Sequence, residues 1–469
     1  MPVQIYNSLT KKKEEIPPPE KKKTIKMYSC GVTVYDECHI GHGRSLYIFE
    51  VLRRYLQYRG YEVQFVRNIT DVDDKIINRA RDLKKKFEDV VQAYIEAYRR
   101  DLKALALAPA DCEPRATENI PEMIKDIEGL IHKEFAYEVN GDVYYHIRKF
   151  KEYGKLSGQS IEKMLEGVRI DPNEKKKDPL DFALWKKSKE GEPFWESPWG
   201  RGRPGWHIEC SCMSRKFLKT DTLDIHAGGR DLIFPHHENE IAQAEGLTGK
   251  PFVKYWVHHG LLTINGQKMA KSSGNFITIQ EALKKYPLDD LKLFFISSHY
   301  ASPIDFSEDK IQEAHKALER FDILFWKAYE ILKDKKIGSA GKVDFINEDK
   351  GKFLEAMDDD FNTPEALGHL FDLVNNTNKF IDQGKKDNRY AETIFQAVDT
   401  IETLGREIFG LFQRETDKNL SEELKKFLDE RQEARAAKDY RRSDELRDLL
   451  RQKGIAVEDT KEGQAWRWL

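Results

Sequence analysis

The chain has 469 residues, 34% of them charged, and a formal net charge of −3. That length allows about three domains and a sizeable core, while the balance of 78 Lys+Arg against 81 Asp+Glu excludes a global polycation, so any nucleic-acid surface must be local. No apolar run approaches the ~20 residues of a membrane span, and no secretory h-region opens the sequence; five widely spread cysteines (30, 38, 112, 210, 212) without a Cys-x-x-Cys pair fit a reducing cytoplasm.

Residues 1–25 carry two lysine runs and a triple proline, and read as a solvated loop. From residue 26, strand-like and helix-like runs alternate. They predict a strand over 26–30, a helix over 45–60 closed by Gly60, and a second strand over 61–70 with Val63, Phe65, Val66 and Ile69. That βαβ order implies a parallel sheet with crossover helices, and such sheets bind ligands at the carboxyl ends of their strands. Two features stand there. Cys30 ends the first strand, and His39-Ile-Gly41-His42 lies in the turn before the helix. Cationic or donor groups at a helix start suit a phosphate, because free N–H groups and the positive dipole end both favour an anion. Thr70 and Asp71, at the next strand end, are candidate substrate contacts or, equally, loop caps.

Residues 75–107 read as one long helix or a helix pair, broken by Pro109 and Pro114, and a further helix starts at Asn119 with Pro121 in its first turn. Alternation of Tyr137, Val139, Val143, Tyr145 and Ile147 across Asn140-Gly141 predicts a hairpin, in a small domain inserted into the nucleotide fold. The lysine-rich span 174–178 reads as an exposed loop. Trp195 and Trp199 belong to an aromatic loop, whereas Trp206, four residues before Cys210, could wall a small pocket. A strand over 223–226 then ends in Ala-Gly228-Gly229-Arg-Asp231. Glycines after a strand let backbone approach a ligand, and the acid can accept from ribose hydroxyls.

Phe234-Pro-His236-His237-Glu-Asn-Glu240 follows. With Pro235 in a first helical turn, His236 and Glu240 share one face at i and i+4. Two cysteines with His and Glu are a donor set that Zn²⁺ accepts. Spacing alone does not choose Cys30 and Cys210 over Cys38 and Cys212, nor His236 over His237. Gly266-Gln-Lys268-Met-Ala270-Lys271-Ser-Ser-Gly274 offers two lysines and small hydroxyls, suited to a triphosphate. Beyond residue 306 the pattern is helical: 307–333, then helices to about 412, two more over 421–437 and 441–453, and a hairpin from Ile455 to Trp468. Asp358-Asp-Asp-Phe-Asn-Thr363-Pro364 could pass for a metal cluster but reads better as a helix cap at Thr363. Trp466 and Trp468 could stack on unpaired bases or close a small core.

In combination these motifs resemble the class I aminoacyl-tRNA synthetases. His39-Ile-Gly-His42 resembles the first family motif, Lys268-Met-Ala-Lys271-Ser resembles the second with Ala270 replacing a serine, and Cys30-Gly-x-Thr-x-Tyr-Asp with the stretch 193–214 resembles the cysteine-specific members. The resemblance spans essentially the whole chain. It implies an α/β fold with a Rossmann-like parallel-sheet nucleotide-binding domain (1–125 and 205–305), an inserted connective domain (126–204), a helical-bundle anticodon-side domain (306–415) and a small C-terminal α+β tRNA-binding module (416–469). It further implies one zinc per chain on Cys30, Cys210, His236 and Glu240, and cysteine contacts from Thr70, Trp206 and His226. ATP with Mg²⁺ would meet Gly41, Gly228, Gly229, Asp231 and Lys271, with His39, His42, Lys268 and Lys271 as the catalytic groups. The expected partners are L-cysteine, ATP and tRNA(Cys), with no membrane, for a cytoplasmic monomer. Two rivals are a cysteine–amino-sugar ligase, which would share only the front of the chain, and a non-catalytic tRNA-binding paralogue.

Overall fold

The computed structural model describes residues 2–166, 176–269, 274–333, 335, 337–338, 340–384, 389–412, 422–452, 455–460 and 463–468. Four parallel strands form its centre, in the spatial order Val253–His259, Leu223–Gly229, Thr24–Ser29, Glu62–Arg67. The chain runs outward from Thr24–Ser29 to Glu62–Arg67, then crosses back to lay Leu223–Gly229 on the other flank. The order therefore reverses between Thr24–Ser29 and Leu223–Gly229, and a crevice at their carboxyl ends is where such sheets take ligands. Tyr28 sits level with His226, which sits level with Trp256.

The helix expected over 45–60 begins earlier, at Ile40, and ends at Tyr58. Its start escaped the pattern because histidine is not a usual cap: His39 occupies the N-cap and its Nδ1 accepts from the N–H groups of Gly41 and His42. Gly60 closes it at φ +90°. The stretch over 75–107 is a pair, Asp74–Leu83 and Phe87–Ala104. Between the second and third core strands lies the inserted sheet, antiparallel in the order Ala136–Val139, Asp142–Tyr145, Phe182–Lys187, Gly202–Pro204. Asn140 and Gly141 both take positive φ, as a two-residue hairpin loop with right-handed strand twist requires. Of the lysine-rich span 174–178, residues 174–175 lie outside the described residues.

Residues 1–25 are not a solvated loop. Gln4–Asn7 and Lys12–Glu15 form a hairpin, and Val3, Ile5 and Ile16 are buried. Asn7 donates from Nδ2 to Lys254 O and accepts at Oδ1 from Trp256 N, so the hairpin covers the edge strand. The apolar residues, few and separated by lysines, gave no run long enough to see.

Beyond the sheet, Leu262–Ile264 pairs with Gln267–Lys268 and with Ile304–Phe306. The long helix Glu308–Leu332 and helices Asp344–Asp358, Thr363–Asp382 and Tyr390–Thr403 follow. This bundle shares one core with the catalytic region. Tyr47 OH donates to Phe409 O (2.7 Å), and the buried Lys292 ammonium donates to Gly410 O (2.8 Å). The acidic run at 358–360 is spent on similar clamps: Asp358 accepts from Tyr55 and Arg59, and Asp360 from Tyr300 and Tyr6 N. The cap is Asn362 rather than Thr363, whose hydroxyl donates to Ile296 O. Helices Glu422–Ala436 and Tyr440–Gln452 and the hairpin Ile455–Thr460/Gly463–Trp468 close a separate small core of Leu424, Leu428, Leu450, Ile455 and Val457. Among the described residues, no helix is long and apolar enough to cross a membrane.

Candidate active site

Three segments distant in sequence bring sulfur, nitrogen and oxygen donors together at the switch point. Cys30 follows the first core strand, and its position is set by Gly31. A Cβ there would stand 1.6 Å from Asn68 O, so only glycine lets these two backbones touch. Gly31 N donates to Asn68 Oδ1 at 2.8 Å, and Cys30 N donates to Ala227 O at 3.2 Å. Cys210 comes from helix Trp206–Leu218, and Glu240 from helix Glu238–Thr248.

Pro235 does not stand in a first helical turn as expected. Phe234 is extended (φ −137°, ψ 133°), the Phe234–Pro235 peptide is cis, and the helix starts at Glu238. His236 nonetheless aims Nε2 at Glu240 Oε1, 3.0 Å away. Cys30 Sγ lies 3.9 Å from Cys210 Sγ and 3.7 Å from Glu240 Oε1.

The donor atoms of Cys30, Cys210, His236 and Glu240 all lie within 4.8 Å of one another. Cys38 and Cys212, open alternatives on spacing, are elsewhere: Cys38 lies buried before the His39 turn, and Cys212 is buried against Asp126. His237 is not excluded in the same way. With Cys30, His226 and Glu240 it makes a second set of equal compactness. It is also bonded at both ends, through Nδ1 to His258 Nε2 (2.8 Å) and through Nε2 to Cys30 Sγ (3.3 Å). His236 Nε2, by contrast, is buried with no partner beyond the candidate ligands themselves, Glu240 Oε1 at 3.0 Å and the Cys210 thiol. An imidazole nitrogen facing two thiols and a carboxylate fits a soft dication with tetrahedral N/S/O preference.

Electrostatics agree with that donor set. Burial would raise Glu240, yet His226 and His236 hold it down at about 2. Burial would lower His236, yet Glu240 and Cys210 raise it to about 10. Burial would raise Cys210 too, but contacts with Cys30 and His236 bring it to about 6. Glu240 and Cys210 are thus held toward their anionic forms, whereas burial, with Cys210 and Glu240 beside it, pushes the Cys30 thiol well up.

The histidine turn is built differently. His39 and His42 are half-buried and stacked, with ring centroids 3.7 Å apart. Burial lowers His39 to about 4; burial, with His39, Lys75 and His259, lowers His42 to about 3. Both are neutral near pH 7, so of the two alternatives, cationic or donor groups, the pair fits the donor one. His39 Nδ1 accepts two backbone N–H groups, and His42 Nδ1 accepts from His39 N at 3.2 Å. A neutral imidazole has one acceptor and one donor nitrogen, so each ring carries its proton on Nε2. Gly41 lies beneath them, where a Cβ would press the His39 ring at 3.0 Å.

Gly228 and Gly229 end the third core strand. A Cβ on Gly228 would stand 2.6 Å from the His237 ring, and one on Gly229 would meet Asp231 Oδ1 at 2.4 Å. Asp231 itself is exposed. Trp206 is 37% exposed and stacks on His236 at 4.0 Å. His226 is buried and donates from Nε2 to Glu240 Oε2 at 2.8 Å. Thr70 is buried and donates to Glu209, an acid that burial, followed by Cys210, pushes up. Asp71 proves to be a loop clamp, accepting from Arg115 Nε and from Thr117 N and Oγ1. Lys268 ends the short strand Gln267–Lys268, while Lys271 and Ala270 lie outside the described residues. The chain returning from that loop is stitched to the histidine turn, with Ile40 N donating to Ile277 O and Ile279 N to Cys38 O.

Glu209, His207 and His258 line the site but were not singled out in the sequence. Their signal was weak: Glu209 merely precedes a cysteine, and His207 and His258 stand beside aromatic residues at an element end.

The chain's residues 17–316 match the tRNA synthetases class I (C) catalytic domain, residues 352–413 the DALR domain, and residues 417–467 the cysteinyl-tRNA ligase anticodon binding domain. It is 50% identical to a cysteine–tRNA ligase of Sulfurihydrogenibium sp. over 100% of both chains. A cysteine–tRNA ligase of Aquifex aeolicus is 46% identical, over 100% of this chain and 99% of that one. Among solved structures, Mycobacterium tuberculosis methionyl-tRNA synthetase in complex with methionyl-adenylate aligns with a TM-score of 0.65 at 13% identity, over 83% of this chain and 92% of that one, a likeness of fold.

Proposed function

Because this chain belongs to the cysteine–tRNA ligase family of class I aminoacyl-tRNA synthetases, we propose that it joins L-cysteine to tRNA(Cys) in two steps, through a cysteinyl adenylate. In the first, a carboxylate oxygen of cysteine attacks the α-phosphorus of Mg·ATP, and pyrophosphate leaves with the pair of electrons from the broken P–O bond. In the second, the hydroxyl of the terminal adenosine of the tRNA attacks the acyl carbon and AMP departs.

Phosphoryl transfer asks for positioning and charge stabilisation rather than a protein nucleophile. His39 and His42 offer two parallel Nε2–H donors to phosphate oxygens beside the helix N-terminus. Lys268 and Lys271 bring positive charge to the departing pyrophosphate. Gly228 and Gly229 give the nucleotide a backbone without side chains to lie on, and Asp231 accepts from the ribose hydroxyls.

Cys30, Cys210, His236 and Glu240 would hold zinc, which when bound supplies a soft Lewis acid that favours the thiolate of cysteine over the hydroxyl of serine. An ordinary pocket separates such near-isosteres by only about 10²-fold, against the 10⁴–10⁵ that translation needs. Trp206 and His226 close the pocket around the side chain. The enzyme acts as a cytoplasmic monomer in this reading.

One observation carries the proposal: four donors from three distant segments converge at the carboxyl ends of the central strands, the end of the sheet from which the chain enters the His39–His42 turn. The match of residues 417–467 to an anticodon binding domain favours tRNA over an amino sugar as acceptor. ATP–pyrophosphate exchange with cysteine and serine side by side, on protein of measured zinc content, tests it. Cysteine-dependent exchange with serine near background is expected; exchange indifferent to the amino acid would contradict the proposal.

A further inference from the structure

The acceptors behind the Cys30–Cys210 pair are not all used. Glu209 has no exposed surface. Its Oε2 accepts from Thr70 Oγ1 at 3.0 Å, its Oε1 has no partner, and no cationic side chain among the described residues pairs with it. A buried acid without a counter-charge favours its neutral form, and an arriving cation favours the carboxylate. Thr70 Oγ1 accepts in turn from Asn68 Nδ2 at 3.1 Å, and Asn68 Oδ1 lies 3.8 Å from Cys210 Sγ. A hydroxyl has one proton and two lone pairs. The Thr70 proton goes to Glu209 and one lone pair to Asn68, which leaves one lone pair free.

Resting on the reading of L-cysteine as substrate, we infer that Glu209 is the positioning residue for its α-ammonium, acting through Thr70. Only two carbons separate the sulfur of cysteine from its nitrogen. A thiol directed at Cys30 and Cys210 therefore brings the ammonium to the wall that Asn68 and Thr70 form beside Cys210. There the ammonium donates to the free lone pair of Thr70, and the unpaired oxygen of Glu209 behind it offsets the positive charge. The amino acid is then held at both ends, with its carboxylate left to face the nucleotide. Other buried polar atoms without a partner at the site are the Tyr28 hydroxyl and Nδ1 of His226, whose Nε2 is bonded to Glu240. If His226 received the ammonium alone, Glu209 would be dispensable.

Calorimetric binding of three thiols to the zinc-loaded full chain tests the inference. Cysteine and cysteamine carry the ammonium; 3-mercaptopropionate lacks it. Glu209→Gln and Thr70→Val are each expected to weaken cysteine and cysteamine about ten- to a hundredfold, and to leave 3-mercaptopropionate within about twofold of the parent. That selectivity is a readout that mere loss of packing would not produce. Either variant losing the ammonium-bearing and ammonium-free thiols equally, or keeping both, overturns the inference. Failure of the unsubstituted protein to bind any of the three would instead overturn the cysteine reading on which it rests.

Discussion

Two histidine clusters lie near the carboxyl ends of the central strands, and in one of them a single member, His236, is chemically opposite to His39 and His42 of the other, while His207, His237 and His258 beside it are lowered by burial. At the phosphate end, burial without an acid nearby keeps His39 and His42 neutral, at about 4 and 3. At the thiol end, His236 is more deeply buried, yet Glu240 and Cys210 raise it to about 10. The same side chain serves as a neutral donor in one place and as a partner of anionic ligands in the other. What differs is the carboxylate: Glu240 Oε1 lies 3.0 Å from His236 Nε2, and among the described residues no acid pairs with His39 or His42.

The sharpest way to separate the halves is to remove one donor from the thiol end. Cys210→Ser should lower bound zinc and reduce kcat/KM for cysteine by at least about 10²-fold, with the preference over serine falling in parallel; ATP affinity should hold. Equilibrium dialysis with zinc and the exchange assay report both. At the phosphate end, His42→Asn keeps an acceptor for His39 N but removes the Nε2–H donor. It should cost about 10²-fold in exchange rate, in the range of a lost transition-state donor, with zinc content and cysteine binding unchanged. Coupled loss of zinc in that variant would break the comparison.

A smaller effect concerns stability. The folded pKa values of His39 and His42 lie below the value near 6.5 expected in the unfolded chain. Between pH 6.5 and about 4 the unfolded state binds the more protons, so their contribution is present above pH 6.5 and is lost as pH falls through that window. Urea midpoints at pH 7 and pH 5 should show this fall, and a His39→Asn, His42→Asn double variant should show a shallower one. The smallest effect expected is that of Trp206→Phe, which keeps a ring over His236 but shrinks it. A rise of about two- to tenfold in cysteine KM follows from the size of such ring pairs.

The sequence was most legible where one local pattern carried the meaning. The strands Thr24–Ser29, Glu62–Arg67 and Leu223–Gly229 were visible from their apolar runs ending in Cys, Asn or Gly, and the hairpin from Asn140-Gly141. The site needed more. Spacing could not choose among four cysteines and two adjacent histidines, because that choice depends on how the turn at Phe234–Pro235 presents them; the resemblance to a family made the choice. The N-terminal hairpin was hidden because its second strand reads Lys-Lys-Glu-Glu and buries little. Glu209 was hidden because its partner, Thr70, is 139 residues away.

The central claim is that four donors from three distant segments form one soft-metal site that senses the amino acid's sulfur. Zinc K-edge absorption on the purified chain, with and without cysteine or serine, tests this most directly. The account predicts about one zinc per chain, with sulfur in its shell that increases with cysteine and is unchanged by serine. Protein without zinc, or a spectrum that neither amino acid alters, would contradict it.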